Sequence, residues 1–399
     1  MDILHDNPQL QGVRQFAQAF ARQYIRPIAR KHDEEESTPW DLMRMAQGML
    51  PQASLLDERP ERGEAPDAAK KPRVAARMSV VGGEELAWGC AGISLALAGS
   101  GLAANPVARL GTAEQKAEFK RCLTGLDEHG HVRVAAMALS EPSTGSDISS
   151  LSTSARRDGR HWILDGHKQW ITNGQSASVY VVWAQTDPAA GRVGVRGFVV
   201  PRGTPGLVPG RKETKLGIRA SETAQVHFED CRVPDEMMLG VGGLAGGLGD
   251  TKKMLDSTRP AVGAQAVGIA RAAFEHVLER VRAGSVRGTP LASHQHIAFE
   301  LAEMETEIQA SRLLVHRAAW MADHHMDNVS FASMAKAHAA RTAQWVTMRA
   351  MAILGEEALE PGHPVEKWYR DAKIYDIFEG TGQIQRRIIA KGLVGQNPT

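Results

Sequence analysis

Apolar positions recur at helical spacing near both ends of this chain and alternate at strand spacing in its middle. Between residues 9 and 31, Val13, Phe16, Ala17, Phe20 and Tyr24 return every three or four positions, the period of a helix with one apolar face. Arg26-Pro27 kinks or ends that pattern, and Asp33-Glu34-Glu35-Glu36 reads as a solvated face. Val80, Val81 and Leu86 announce further helices. Thr112-Ala113-Glu114-Gln115 has the form of a helix start, for an element that Leu123 closes. From about Val134 the texture changes. The segment Trp162-Ile163-Leu164-Asp165-Gly166-His167-Lys168-Gln169-Trp170-Ile171 predicts a hairpin with Asp165-Gly166 as its tight turn. Residues 179–183 and 197–200 are β-rich runs, and residues 224–228 alternate as a strand should before Val233-Pro234-Asp235 ends it. After Gly249 the pattern is helical again, with long amphipathic stretches over 259–282, 295–323 and 330–354 joined by short turns, as in a bundle. The expectation is an N-terminal all-α domain over 1–133, a β domain over 134–240 and a helical bundle over 241–399, with no internal repeat.

Composition narrows this picture. A chain of 399 residues is long enough for two or three domains. Lysine plus arginine total 47 against 46 aspartate plus glutamate, a balance that argues against a nucleic-acid binder held by bulk charge. Cys90, Cys122 and Cys231 are odd in number and far apart, which suits a reducing cytosol better than a disulfide framework. The opening residues lack the basic-then-apolar order of a signal peptide. The uncharged run from Leu86 to Ala108 could span a bilayer by length. Its Gly89, Gly92, Gly99, Gly101, Asn105 and Pro106 instead favour a tightly packed core helix followed by a turn. A soluble, cytoplasmic protein is expected. The charged tract from 57 to 73, with Pro60, Gly63, Pro66 and Pro72, reads as an exposed loop.

Four stretches could carry chemistry. In Tyr375-Asp376-Ile377-Phe378-Glu379-Gly380-Thr381-Gly382-Gln383-Ile384-Gln385-Arg386, one carboxylate and a glycine sit between two helices. Flanked by Ile377 and Phe378, Glu379 could be a general base whose pKa desolvation raises, or a surface residue of an interhelical turn. In Met137-Ala138-Leu139-Ser140-Glu141-Pro142-Ser143-Thr144-Gly145-Ser146-Asp147, hydroxyls interleave with Pro142 and Gly145. Such a bent backbone offers donors to an electron-rich ring edge or a phosphate, or it is a serine-rich turn capping a helix. Trp170-Ile171-Thr172-Asn173-Gly174 closes the predicted hairpin, and Asp256-Ser257-Thr258-Arg259-Pro260 opens the bundle ahead of a small-residue stripe best explained by close helix packing. Gly240-Val241-Gly242-Gly243-Leu244-Ala245 fits a dinucleotide-binding pattern but follows no full strand and reads as a linker. His294, His296, His324 and His325 are not spaced to share a helix face, so no metal site is expected.

Together these stretches, with Lys215-Leu216-Gly217-Ile218-Arg219-Ala220-Ser221-Glu222-Thr223, resemble the acyl-CoA dehydrogenases. The resemblance implies a mainly α fold with a central β-barrel-like domain and a C-terminal four-helix bundle. It implies α,β-dehydrogenation of an acyl-CoA with FAD as cofactor and Glu379 as the base. It assigns flavin contacts to Met137, Leu139, Ser140, Gly145, Ser146, Trp170, Thr172, Thr381 and Gln383, and substrate contacts to Ser146, Asp256, Arg259 and Gly380. Some relatives carry their base at the position of Thr258; threonine there leaves Glu379 as the candidate. An electron-transferring flavoprotein is the implied oxidant of the reduced enzyme.

One part of the family pattern is altered. Members hold each FAD between two subunits, the second receiving the ADP half through an Arg-x-x-Phe-Gly segment and a Gln followed by a glycine-rich turn. Here the first falls on Gly284, Val286, Arg287 and Gly288, and the second on Ala352-Ile353-Leu354-Gly355-Glu356-Glu357-Ala358. Two like charges ~4 Å apart at an effective dielectric near 20 repel by roughly 4 kcal/mol, so carboxylates there oppose a pyrophosphate unless Arg282 or Arg287 restores the contact. The expectation is a catalytic subunit of a hetero-oligomer, completed by a homologous partner. A non-catalytic subunit and an acyl-CoA oxidase-type flavoprotein are the alternatives.

Overall fold

A computed structural model describes residues 7–47, 73–240 and 248–395, with the side chains of 248–257 outside the description. Except for Arg73, the charged tract expected as a loop lies outside the described residues, as does most of the Gly240–Ala245 segment. The order is helices, sheet, helices. Helix α1 (Pro8–Phe20) starts at an Asn7 cap and continues through a wide turn at Ala21–Ile25 and a tight one at Arg26–Ile28 into α2 (Ala29–Glu34). The Arg26-Pro27 kink is therefore a change of helical pitch. Ala17 and Phe20 are buried, whereas Phe16 and Tyr24 of the same periodic set stay exposed. There follow α3 (Trp40–Gln47), α4 (Ala75–Gly89), α5 (Ala91–Ala98), α6 (Ser100–Leu110) and α7 (Ala113–Leu123). The Thr112 hydroxyl and the Gln115 side chain cap α7 reciprocally. Ala91–Leu110 is long and apolar enough to cross a membrane, but it is interrupted at Gly99 and two-thirds buried inside the protein, as a core element would be.

The middle of the chain is a curled mixed sheet of β1 (Ala135–Ala138), β2 (Ser154–Asp158), β3 (His161–Thr172), β4 (Val179–Gln185), β5 (Val195–Pro201), β6 (Leu207–Lys212) and β7 (Thr223–Pro234), in the order β1-β4-β2-β3-β7-β6 with β5 on β4. Every residue of β4 is buried. Val179, Val181 and Trp183 pack with Ala103, Val107 and Phe119 of α6 and α7, while Tyr180 and Val182 join Phe198, Val226 and Phe228 inside the curl. A strand covered on both faces reads as an unbroken apolar run.

Two expectations about charge and turns are corrected. Asp165-Gly166 is not a hairpin turn: β3 passes straight through it, and β2 and β3 turn instead at Gly159 and Arg160. Gly166 marks a bulge (φ +152°) where a Cβ would lie 2.5 Å from the Thr153 hydroxyl, so glycine serves a close crossing. Asp33 is not solvated. It is 1 % exposed and accepts a 2.5 Å hydrogen bond from Arg370 near the other end of the chain, whereas Glu34 and Glu35 of the same run are exposed as expected.

The bundle comprises α8 (Leu248–Ala283), α9 (Gln295–Asp323), α10 (Val329–Leu354), α11 (Pro364–Ala372) and α12 (Gly382–Val394), with a short hairpin, β8 (Ser285–Val286) and β9 (Thr289–Pro290), between α8 and α9. Helix α8 begins upstream of Pro260, so the Asp256–Pro260 stretch lies within the helix and does not start it. Its alanines interleave with those of α9 and α10 in one core, as the small-residue stripe predicted. Glu84 of α4 accepts 2.8 Å hydrogen bonds from Arg271 of α8 and Arg312 of α9. Burial pushes its pKa up, but the two guanidiniums outweigh that and hold it at about 2.

Candidate active site

All three parts of the chain meet at α11. Arg370 donates to Asp33 of α2, to Glu366 and to the Leu216 carbonyl of the β domain. The buried Asp371 accepts from Lys367 at 2.5 Å and from the Ile218 backbone N–H at 2.5 Å. The Lys215–Thr223 segment thus docks the sheet onto the helix that leads to Glu379. Its far end also shapes the sheet. Glu222 accepts the N–H groups of Gln175 and Ser176 and the Ser176 hydroxyl, fixing the turn after Thr172.

Glu379 sits between α11 and α12 with a left-handed backbone, φ +54°, followed by Gly380 at φ +91°. A non-glycine residue there is uncommon and points to a position the surroundings impose. Thr258 of α8 donates a 2.9 Å hydrogen bond to the Glu379 carboxylate. Loss of water raises the pKa of that carboxyl, opposed by the Thr258 bond and by the charges of Lys336 and Arg259. Among the described residues the Glu379 backbone N–H has no acceptor. Arg259 is buried beside the turn and donates to Ser333 of α10. The Asp256 side chain lies outside the described residues.

The segments expected to contact a flavin lie on the sheet. Met137 and Leu139 are at the end of β1, and the Ser140 carbonyl accepts from the Gln169 N–H. Glu141 and Thr144 close a tight turn through reciprocal backbone bonds, leaving Gly145 and Ser146 exposed. Beneath it, the buried pair Glu141–Lys168 (2.8 Å) and the bond from Lys168 to the Leu139 carbonyl (3.1 Å) tie the segment to β3. A register shift between Lys168 and Ile171 coincides with Trp170 at φ +63° and 56 % exposed. A bulge re-aims a side chain, and a large aromatic held outward in a strained backbone is what a planar ring ligand needs. The residues present therefore fit an isoalloxazine. Thr172 ends β3 close to Gly99, joining this face to α5 and α6. Thr381 caps α12, and Gln383 is exposed on its first turn.

Two groups at the site escaped the sequence. Lys336 of α10 and Gln385 of α12, both buried, donate to the Gly380 carbonyl at 2.7 and 2.9 Å. A lysine inside the alanine-rich period of α10 was the available signal for the first. The site expected to have lost its ADP contacts looks different. Arg280 of α8 pairs with Glu357 at 3.0 Å, both side chains being partly exposed, and Arg287-Gly288 forms the turn of the short hairpin. Arg280 thus relieves part of the repulsion expected there and itself becomes engaged.

Comparison with known proteins agrees with these features. Profiles of the acyl-CoA dehydrogenase middle domain and C-terminal domain match residues 136–231 and 245–394. The mitochondrial short-chain specific acyl-CoA dehydrogenase of Rattus norvegicus is 35 % identical over 96 % of this chain and 90 % of its own. Butyryl-CoA dehydrogenase from Megasphaera elsdenii superposes with a TM-score of 0.84 at 31 % identity, covering 99 % of this chain and 98 % of that one. A glutaryl-CoA dehydrogenase from Mycobacterium smegmatis in complex with FADH2 gives 0.85 at 26 % identity, over 98 % and 96 %.

Proposed function

The chain belongs to the acyl-CoA dehydrogenase family, and we infer that it oxidises an acyl-CoA to the trans-2-enoyl-CoA with Glu379 as the base, as the catalytic subunit of a hetero-oligomer. Its enzyme class and its dependence on FAD follow from the family. The single observation that carries the residue-level reading is the Glu379 turn: a carboxylate whose pKa is raised by burial, beside a backbone N–H that has no acceptor among the described residues.

Bound FAD supplies the acceptor for the hydrogen leaving the β-carbon. Met137, Leu139, Ser140, Gly145, Ser146, Trp170, Thr172, Thr381 and Gln383 would hold it. Glu379 takes the α-proton; a raised pKa brings a carboxylate nearer to the strength that such a proton demands. The Glu379 N–H would donate to the thioester oxygen as negative charge gathers there. Thr258 steadies the carboxylate before substrate arrives. Ser146, Asp256, Arg259 and Gly380 are the positions through which we expect the thioester to be bound or shaped. The relatives' short-chain specificity makes butyryl-CoA the first probe. Under anaerobic conditions it bleaches the flavin of the wild type, and Glu379→Gln slows that bleaching ~10²–10⁴-fold; bleaching at the wild-type rate overturns the assignment.

The hetero-oligomer rests on the Gly284–Gly288 and Ala352–Ala358 segments, where Arg280–Glu357 and the exposed Glu356 stand in place of the glycine-rich turn. A homologous partner would supply the ADP-receiving half for this chain's FAD, and an electron-transferring flavoprotein would reoxidise it. We place the complex in the cytoplasm, where the three buried free thiols would stay reduced. Flavin counted per chain tests the assembly: one FAD per heterodimer is expected, and a homotetramer with FAD on every subunit overturns it.

A further inference from the structure

The Glu379–Gly380 turn is held from outside its own segment. Two consecutive residues with positive φ are not a conformation that the segment joining α11 to α12 adopts by default, and Glu379 has the side chain that makes it costly. Something must over-determine it. On one side stands Lys336, 0 % exposed, among Ala332, Ser333, Ala335, Ala339 and Ala340 of α10; its ammonium donates to the Gly380 carbonyl at 2.7 Å. On the other stands Gln385, also 0 % exposed, on the first turns of α12. Its amide donates to the same carbonyl at 2.9 Å and to the Glu379 carbonyl at 3.4 Å. A Cβ on Gly380 would lie 2.7 Å from that amide nitrogen, so the side chain rests directly on the turn. The Gln385 carbonyl oxygen is buried with no partner among the described residues, a cost that core packing alone does not explain.

We propose that Lys336 and Gln385 are positioning residues that clamp the Gly380 carbonyl between α10 and α12 and so aim both the Glu379 carboxylate and its backbone N–H at the thioester. Neither touches substrate. The inference rests on Glu379 being the base. The charged groups facing the clamp are Asp376 from the turn before Glu379, Glu379 itself, Arg259 from α8 and Arg386 from α12. Within that set Lys336 is a positive charge that keeps the Glu379 pKa from rising further, whereas Gln385 carries no charge. Burial lowers the Lys336 pKa to about 8, against the pull of Asp376 and Glu379.

That difference makes the roles separable. In the purified holoenzyme, with its partner chain where one copurifies, butyryl-CoA turnover is followed across pH for Lys336→Met, Lys336→Arg, Gln385→Met and Glu379→Gln. Gln385→Met is expected to lower kcat at least ~10-fold with KM within about threefold and the acid limb of kcat/KM unmoved. Lys336→Met is expected to lower kcat similarly and to move the acid limb upward, because the charge opposing protonation of Glu379 is gone. Lys336→Arg keeps the charge and leaves the acid limb in place. Flavin content and melting temperature identify variants that fold; if Lys336→Met does not, the Arg and Gln385 variants decide the matter. Wild-type kcat in a folded Gln385→Met enzyme, or an acid limb that ignores the loss of the Lys336 charge, overturns the clamp. A Glu379→Gln enzyme of wild-type speed overturns the base assignment itself, whatever the other variants do.

Discussion

Helices α8 and α10 each carry two polar regions, one near either end, and the two are built on opposite terms. Thr258 and Arg280 are separated by about 33 Å of α8, and Lys336 and Gly355 by about 28 Å of α10, at 1.5 Å per residue. At the Thr258–Lys336 end, polar groups are buried or half-buried and joined: Thr258 to Glu379, Lys336 and Gln385 to Gly380, Arg259 to Ser333. At the Arg280–Gly355 end, an ion pair with half-exposed side chains, Arg280–Glu357, faces solvent beside a two-residue hairpin turn. Buried polar contacts bind one geometry tightly, since each group left without a partner costs a full desolvation penalty. Exposed pairs are screened and replaceable. One end therefore holds its groups in a fixed arrangement, and the other stays open to solvent, as the hetero-oligomer we propose requires.

This contrast can be broken by substitution. Glu379→Gln, at ~10²–10⁴-fold, is the largest effect expected. Gly380→Ala comes next. The new methyl meets the Gln385 amide at 2.7 Å and resists φ +91°, so a turnover loss of ~10²-fold is expected in stopped-flow bleaching while flavin content stays normal. Thr258→Val removes a bond that lowers the Glu379 pKa. The carboxyl is then protonated to a higher pH, so the acid limb of kcat/KM shifts upward and the rate below it falls several-fold, ~10-fold for each pKa unit. An unmoved limb would mean that the hydroxyl is a bystander. Arg280→Gln with Glu357→Gln should do least: no more than about 1 kcal/mol in unfolding by denaturant and no change in bleaching rate. A large loss of activity from that double variant would erase the distinction between the two ends.

Much of the fold was legible because local periodicity follows burial. The amphipathic stretch 295–323 coincides with α9, the Thr112 cap with the start of α7, and the apolar run 179–183 with a strand covered on both faces. Asp165-Gly166 was misread because the same dipeptide serves a turn or a bulge, and only the passage of Thr153 above it tells which. Asp33 was misread because its partner Arg370 lies at the other end of the chain.

The order of residues alone determined the family, the helix–sheet–helix layout and the carboxylate to suspect, since each rests on patterns within a few turns of chain. Tertiary structure decided that Thr258 bonds to Glu379, that Lys336 and Gln385 share one carbonyl, that Trp170 faces outward, and that Arg280 is paired with Glu357. Those facts join residues dozens of positions apart or depend on a backbone bend. Hydrogen-bond geometry and desolvation act through space, where sequence spacing carries no information.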